Sequence, residues 1–221
     1  MKAHRSPQSG KHGNSVSLKG RYGQVERQHV IPKNPGTPAQ VRPRTALTRA
    51  AARWRKLTEA QRQSWTASGR GVPSRPRQGQ SGPLTGCAFF VKINCNRASI
   101  DLPMLLDPPE RPQFAPNPVE ELAITNTAGD IALKLRVSGT PAQYTIVLGA
   151  APCSAGVSYV DHFVILGLLP TPTDGFSDIT DMYVAKYGPP PVDSKIVILT
   201  RQQVNGWEDQ PKATRAIVPA E

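Results

Sequence analysis

The chain has 221 residues, with 27 Lys and Arg against 16 Asp and Glu and 23 prolines, a length that admits one large domain or two small ones. Its net charge of +11 is unevenly spread: residues 1–100 carry +17 and residues 101–221 carry −6. That split points to a polyanion or an oppositely charged copy of the chain as partner, beside the plainer reading of a solubilising basic arm. Three cysteines (Cys87, Cys95 and Cys153) cannot close a disulfide framework and suit a reducing compartment. No stretch approaches the ~18–20 apolar residues of a membrane span. Residues 1–17, MKAHRSPQSGKHGNSVS, lack the apolar core of a Sec signal. The expectation is synthesis in the cytoplasm without such a signal, with a virion or an extracellular assembly as a later destination.

In chain order, residues 1–35 read as a basic extended arm or hairpin. Val16 and Leu18 share one face of an alternating segment, Val25 and Val30 follow, and Gly20 and Gly23 offer turn positions. Two strands alone are marginal in water, so this arm is expected to order only against another surface. Residues 36–106 read as short helices. Thr37-Pro38 supplies a capping hydroxyl and a proline at the first helical position, and Gln40 completes a capping box. Leu47, Ala50, Ala51 and Trp54 follow at helical spacing, which predicts a helix over 38–56 that Pro43 should kink or delay. A second box at Thr58 and Gln61 opens a helix over 59–67, with Gly69 as its stop. Residues 69–82, GRGVPSRPRQGQSG, read as a flexible basic linker. A third helix is expected after Thr85, with Ala88, Val91 and Cys95 on one face and Phe89, Phe90 and Ile93 beside them. The proline-dense LDPPERPQFAPNP then predicts an extended strap between domains.

From 107 to 221 the pattern is that of a β domain. Candidate strands are ELAITNTAG, IALKLRVSG, QYTIVLGAA, SYVDHFVILGLL, KIVILTRQQV and ATRAIVPA. Turn signals at Ala128-Gly129-Asp130, Gly139-Thr140-Pro141 and Asn205-Gly206 separate them. Ser177 is placed to cap a short helix that Gly188 ends. The whole reads as α+β: the basic arm and short helices, then an antiparallel immunoglobulin- or fibronectin type III-like sandwich.

No CxxC, HExxH, GxSxG, P-loop or EF-hand spacing is present, and no nucleophile–base pair stands out. The expectation is therefore a non-enzyme with no catalytic, cofactor-binding or metal-binding residues. Cys87 and Cys95, two turns apart on one helix, read as structural thiols. Asp161 and His162 are strand neighbours pointing to opposite faces. Asp174, Asp178 and Asp181 read as acids complementing a helix dipole. The informative feature is basic. At 100° per residue Arg42, Arg49, Arg53 and Lys56 fall within about 60° of one another. They form a cationic stripe apart from the apolar sector, suited to phosphates or to an acidic subunit surface. With Lys11, Lys19, Arg21 and Arg27 of the arm they are the candidate polyanion or subunit contacts.

Two resemblances bear on these segments. WRKLTEAQRQSWTASG resembles the last helix of an HMG box over about sixteen residues, in a family whose box bends DNA through the minor groove. Over most of the chain, Gly10-Lys11-His12-Gly13-Asn14-Ser15-Val16, PKNPGTPAQ, GCAFFVKINCN and LPMLLDPP resemble a group of uncharacterised bacterial and prophage-type proteins. Those open on a GKxGxxV-like segment and end in a small β-sandwich. That resemblance implies the same architecture and a non-enzymatic role. The expected function is a structural or assembly protein, a subunit of a phage-like particle or surface assembly docking through its basic N-terminal region as a homo-oligomer or larger protein assembly. The alternative is a non-specific nucleic-acid-binding protein using the basic helix pair.

Overall fold

The computed structural model describes residues 9–20, 23–31, 34–74 and 81–220. The chain divides into two compact units, Met1–Val41 and Arg42–Glu221.

The first unit holds a three-stranded antiparallel sheet of β1 (Gly10–His12), β2 (Ser15–Gly20) and β3 (Gly23–Gln28), with β2 in the middle. Gly13, with φ of 58°, turns β1 into β2, and Gly20 pairs with Gly23 where β2 returns as β3. The strand β1 adds to the two that alternation predicts. Val30, grouped above with Val25, lies beyond β3 and is exposed.

The helical part follows the local signals closely, and α1 (Pro38–Trp54) begins where Pro38 predicts. Pro43 lies inside it without delaying it, although a proline there has no N–H to give the carbonyl of Ala39. The first capping box is not made: Gln40 Oε1 accepts no hydrogen bond among the described residues. The second is complete. Thr58 Oγ1 accepts from the Gln61 N–H at 3.3 Å and Gln61 Oε1 accepts from the Thr58 N–H at 3.2 Å, starting α2 (Glu59–Gly69). Arg70 caps α2 in the right-handed region, so Gly69 is not a left-handed stop. It serves close approach: a Cβ there would lie 2.9 Å from the Leu84 carbonyl. Residues 72–74 and 82–84 pair as a short ladder (Leu84 N to Val72 O 2.9 Å, Ser74 N to Gly82 O 2.7 Å), and Val72 is buried. The ends of the stretch expected as a linker are therefore fixed, and its middle, 75–80, lies outside the described residues.

Thr85 caps α3 (Gly86–Ala98) through the Ala88 N–H at 3.2 Å. The buried face of α3 is Gly86, Phe89, Phe90, Ile93, Asn94 and Arg97, while Ala88 is exposed. Of the expected Ala88-Val91-Cys95 face, Val91 and Cys95 pack half-buried against the core and Ala88 does not, because the large aromatics beside them take the centre of the buried face. Likewise α1 packs through Ala50 and Trp54, and Leu47 is 52% exposed. The helical core is an aromatic chain. Trp54 lies 5.5 Å from Phe90, Trp65 lies 5.1 Å from Phe90 and 5.3 Å from Phe89, and Phe89 lies 5.2 Å from Trp207 between ring centroids. All three tryptophans of the chain meet there.

Residues 101–118 form the strap, which has no regular structure. Side chains from elsewhere hold its backbone. Arg97 Nε donates to Pro103 O (2.8 Å), Trp65 Nε1 to Leu106 O (2.7 Å), Trp207 Nε1 to Pro109 O (3.3 Å) and Gln202 Nε2 to Ala115 O (2.8 Å). Asn94, 3% exposed, grips Leu105 from both sides: Nδ2 donates to its carbonyl at 3.2 Å and Oδ1 accepts from its N–H at 2.8 Å. Buried polar backbone finds partners in this way where no ladder exists.

The β part begins with the hairpin β4 (Val119–Thr127) and β5 (Asp130–Val137), then β6 (Tyr144–Gly149), β7 (Cys153–Ser154), β8 (Val164–Leu168) and β9 (Phe176–Asp178). After α4 (Thr180–Tyr187) come β10 (Ser194–Val204), β11 (Trp207–Glu208) and β12 (Lys212–Ile217). All pairings are antiparallel. One sheet is β4-β5-β9. In the other, β10 is central, with β6 and β7 along one side, β12 and β11 along the other, and β8 outside β6. Leu122, Leu133 and Leu135 of the first sheet, Val147, Ile196 and Ile198 of the second, and Ile179 and Tyr183 by α4 share one apolar core. The fold class is thus mixed helix and antiparallel sheet.

Two local expectations fail here. Ser177 does not cap α4: it is buried and donates to Pro170 O, while Asp178 Oδ1 accepts from the Thr180 N–H at 2.9 Å. The strand expected over SYVDHFVILGLL starts only at Val164, so Asp161 and His162 are not on opposite strand faces. His162 Nε2 lies 3.5 Å from Asp161 Oδ1 in an exposed pair.

Candidate polyanion or subunit-docking surface

The stripe on α1 faces a groove built by the strap. Arg42, Thr45, Ala46 and Arg49 line one recess of about 310 Å³ against Asn94, Asp101 and Met104. Arg49, Ala52, Arg53 and Lys56 line a second of about 460 Å³ against Met104 and Leu106. Arg49 and Met104 belong to both, so the recesses run into one another along the helix. The helix itself forms one wall, and the Asn94 grip on Leu105 holds the strap that forms the other. The strap supplies an apolar floor that the charge count alone did not reveal. LPMLL within a proline-dense stretch was the available signal.

The four cations differ in availability. Arg42 is held: its Nη2 lies 2.8 Å from Asp101 Oδ2 and donates to Ser99 O at 3.3 Å. Asp101 sits just past α3 with φ of 59°, which aims its carboxylate back at α1. The pair is open to solvent (58% and 84% side-chain exposure), so its energy is small, under about 1 kcal/mol. Among the described residues nothing pairs with Arg49, Arg53 or Lys56. Arg49 and Arg53 stand one turn apart on α1, about 6 Å along its axis. The helix expected to reach residue 56 ends at Trp54, so Lys56 continues the row from the turn that follows. Beneath the groove, Arg97 is 7% exposed, and burial pulls its guanidinium down from the ordinary value while Tyr144 works in the opposite sense.

In the first unit the pairing sorts the other cations. Lys11 and Arg27 both stand opposite Val16, so the three share a face, and Leu18 and Val25 are paired on that same face. Lys19, opposite Gln24, is on the other face, where Ser15 Oγ donates to Glu26. Arg21 lies outside the described residues. Leu18 and Val25 are 43% and 49% exposed. One face therefore carries an apolar row framed by two cations that have no ion-pair partner among the described residues. Each unit presents its own basic surface. The structure assembles three of the four stripe residues into an open site and assigns Arg42 to a clamp.

No cluster of three or more metal-ligating side chains occurs among the described residues. The three cysteines are free, and burial pushes the Cys95 thiol up. Among the described residues no helix is long and apolar enough to cross a membrane. No protein-family model, curated protein or solved structure matches this chain.

Proposed function

We propose that the protein is a non-enzymatic structural or assembly subunit, as of a phage-like particle or surface assembly, that docks through its basic N-terminal region onto an acidic protein surface. The observation that carries this reading is the face of the first unit's sheet: Val16, Leu18 and Val25 in a row, flanked by Lys11 and Arg27. A three-stranded sheet this short gains little stability alone. Its apolar row and open edges β1 and β3 suit addition to a second surface. The net −6 of residues 101–221 makes a further copy of the chain a fitting partner, in a head-to-tail contact that builds rings or shells. The β part, with two antiparallel sheets over one core, is read as an immunoglobulin- or fibronectin type III-like module facing outward, with α4 as an addition to that plan. The kinship with prophage-type proteins proposed from the sequence fits the same role.

The test is light scattering of full-length protein and of a variant lacking residues 1–31, across salt. Full-length protein is expected to self-associate at low salt, and the shortened chain to stay folded and monomeric. A monomeric full-length chain at high concentration and low salt overturns the assembly reading.

One observation favours a second reading: three unpaired cations along a continuous groove suit the phosphates of a nucleic acid, bound without regard to sequence. Adding duplex DNA to the same measurement separates the two, since only this reading has DNA change the mass at moderate salt.

A further inference from the structure

The sheet centred on β10 has a second apolar surface. An antiparallel sheet with one face on the core normally shows water a polar face. Here the inward row of β10 is Ile196 and Ile198, yet its outward row carries Val197 and Leu199, both half-buried. What half-buries them is the segment 157–163, which leaves the sheet before β8 and lies over this face. It is the same segment whose alternation imitates a strand. Lys195 Nζ donates to Val157 O at 2.7 Å and ties the segment down.

Between segment and sheet lies a cavity of about 450 Å³, within the range of small-molecule sites. Val160 and Phe163 form its wall and Val197 and Leu199 its floor. Charge enters at one end only. In the β10–β12 register Val197 stands opposite Arg215, and Lys195 is two residues before Val197 on the same outward row. No carboxylate lines the cavity. Arg215 is exposed and has no ion-pair or hydrogen-bond partner among the described residues.

We propose that this cavity is a binding site for an amphiphilic anion, an alkyl chain of medium length ending in a carboxylate. The chain lies on Val197 and Leu199 under Phe163, and the carboxylate meets Arg215 and the remaining donors of Lys195. A neutral head leaves both cations unanswered, and a cationic head is repelled.

The experiment titrates full-length protein with hexanoate, octanoate and decanoate below their micelle concentrations, read by heat and by amide chemical shifts. Binding is expected to saturate at one equivalent, with affinity rising about three- to fourfold per added methylene. Shifts should be confined to residues 157–163, 195–199 and 213–215. Decanol should bind at least about tenfold more weakly, and Arg215→Gln should weaken decanoate by about tenfold. Phe163→Ala should flatten the dependence on chain length. Decanol equal to decanoate, shifts centred elsewhere, or unchanged affinity in Arg215→Gln each overturns the proposal. Arg215 is exposed, so that variant stays informative even if Phe163→Ala fails to fold.

Discussion

The two-residue turns Ala128-Gly129 and Asn205-Gly206 offer a matched pair of perturbations. Both have left-handed backbone at each position, 52° and 89° in the first and 49° and 87° in the second, as hairpin turns of this kind require. Substituting alanine at either glycine therefore brings a similar backbone cost, about 1–2 kcal/mol. The surroundings differ. A Cβ at Gly129 meets nothing within 4 Å, whereas one at Gly206 would lie 2.6 Å from the Ile93 carbonyl, 2.8 Å from Ile93 Cγ2 and 3.1 Å from Arg97 Cγ. Backbone carbonyl cannot swing aside as a side chain does, so the turn must lift from α3. Lifting it strains the Asn96 Nδ2 to Gly206 O bond (2.9 Å) and loosens Trp207 in the aromatic core. Overpacking of this kind costs about 1–3 kcal/mol. Gly206→Ala is thus expected to lose about 2–5 kcal/mol in total, against about 1–2 for Gly129→Ala. Urea unfolding followed by tryptophan fluorescence and far-ultraviolet circular dichroism reads the difference. With a slope near 2 kcal/mol per molar, the two midpoints should differ by about 0.5–1.5 M. Equal losses in the two variants would show that the turn does not press on α3 and would refute the reasoning.

Three further outcomes follow from the same contacts. Asn94→Ala removes both grips on Leu105 and leaves its half-buried N–H unpaired, so stability should fall by about 1–3 kcal/mol in urea titrations; a loss under about 0.5 kcal/mol would mean the strap holds itself. If nucleic acid binds the groove, the logarithmic salt slope should fall by about one for each of Arg49, Arg53 and Lys56 changed to alanine, while Arg42→Ala, already paired with Asp101, changes it less; equal effects at all four positions would contradict the assignment. Tyr183 is fully buried and donates to Ala150 O at 2.9 Å, and burial, with Tyr187 and Cys153 nearby, raises its pKa. The folded state thus holds a proton that the unfolded chain releases near its ordinary value of 10.0, so its stabilisation is present below that pH and is lost as pH rises above it. Melting temperatures measured between pH 8 and 11 should fall, and should fall less steeply for Tyr183→Phe.

The features legible in the sequence were those with a local code. Thr58 with Gln61, Thr85 before Gly86, and the glycines of the two β turns act within a few residues, and each element starts or turns where they stand. The features that were not legible depend on what arrives from far along the chain. Leu47 fits the helical period as well as Ala50 does, but only the side of α1 carrying Ala50 and Trp54 meets the core. Residues 158–163 alternate like a strand, yet no neighbouring strand takes up their hydrogen bonds. The basic stripe could be counted on a helical wheel, but the Asp101 that claims Arg42 and the Met104 that floors the groove follow from the path of the strap.

That path has a consequence for how the protein is made. Pro109 is gripped by a tryptophan 98 residues later in the chain, and Ala115 by a glutamine 87 residues later. Trp207 also completes the aromatic core of helices that leave the ribosome long before it. A nascent chain halted short of residue 202 therefore leaves Phe89 without its Trp207 neighbour and the Pro109 and Ala115 carbonyls without their donors, however well its helices are capped. The second half of the strap waits for the last hairpin. A translating ribosome adding about 5–20 residues per second imposes a pause of several seconds there, during which this apolar surface is open to chaperones or to a neighbouring nascent copy.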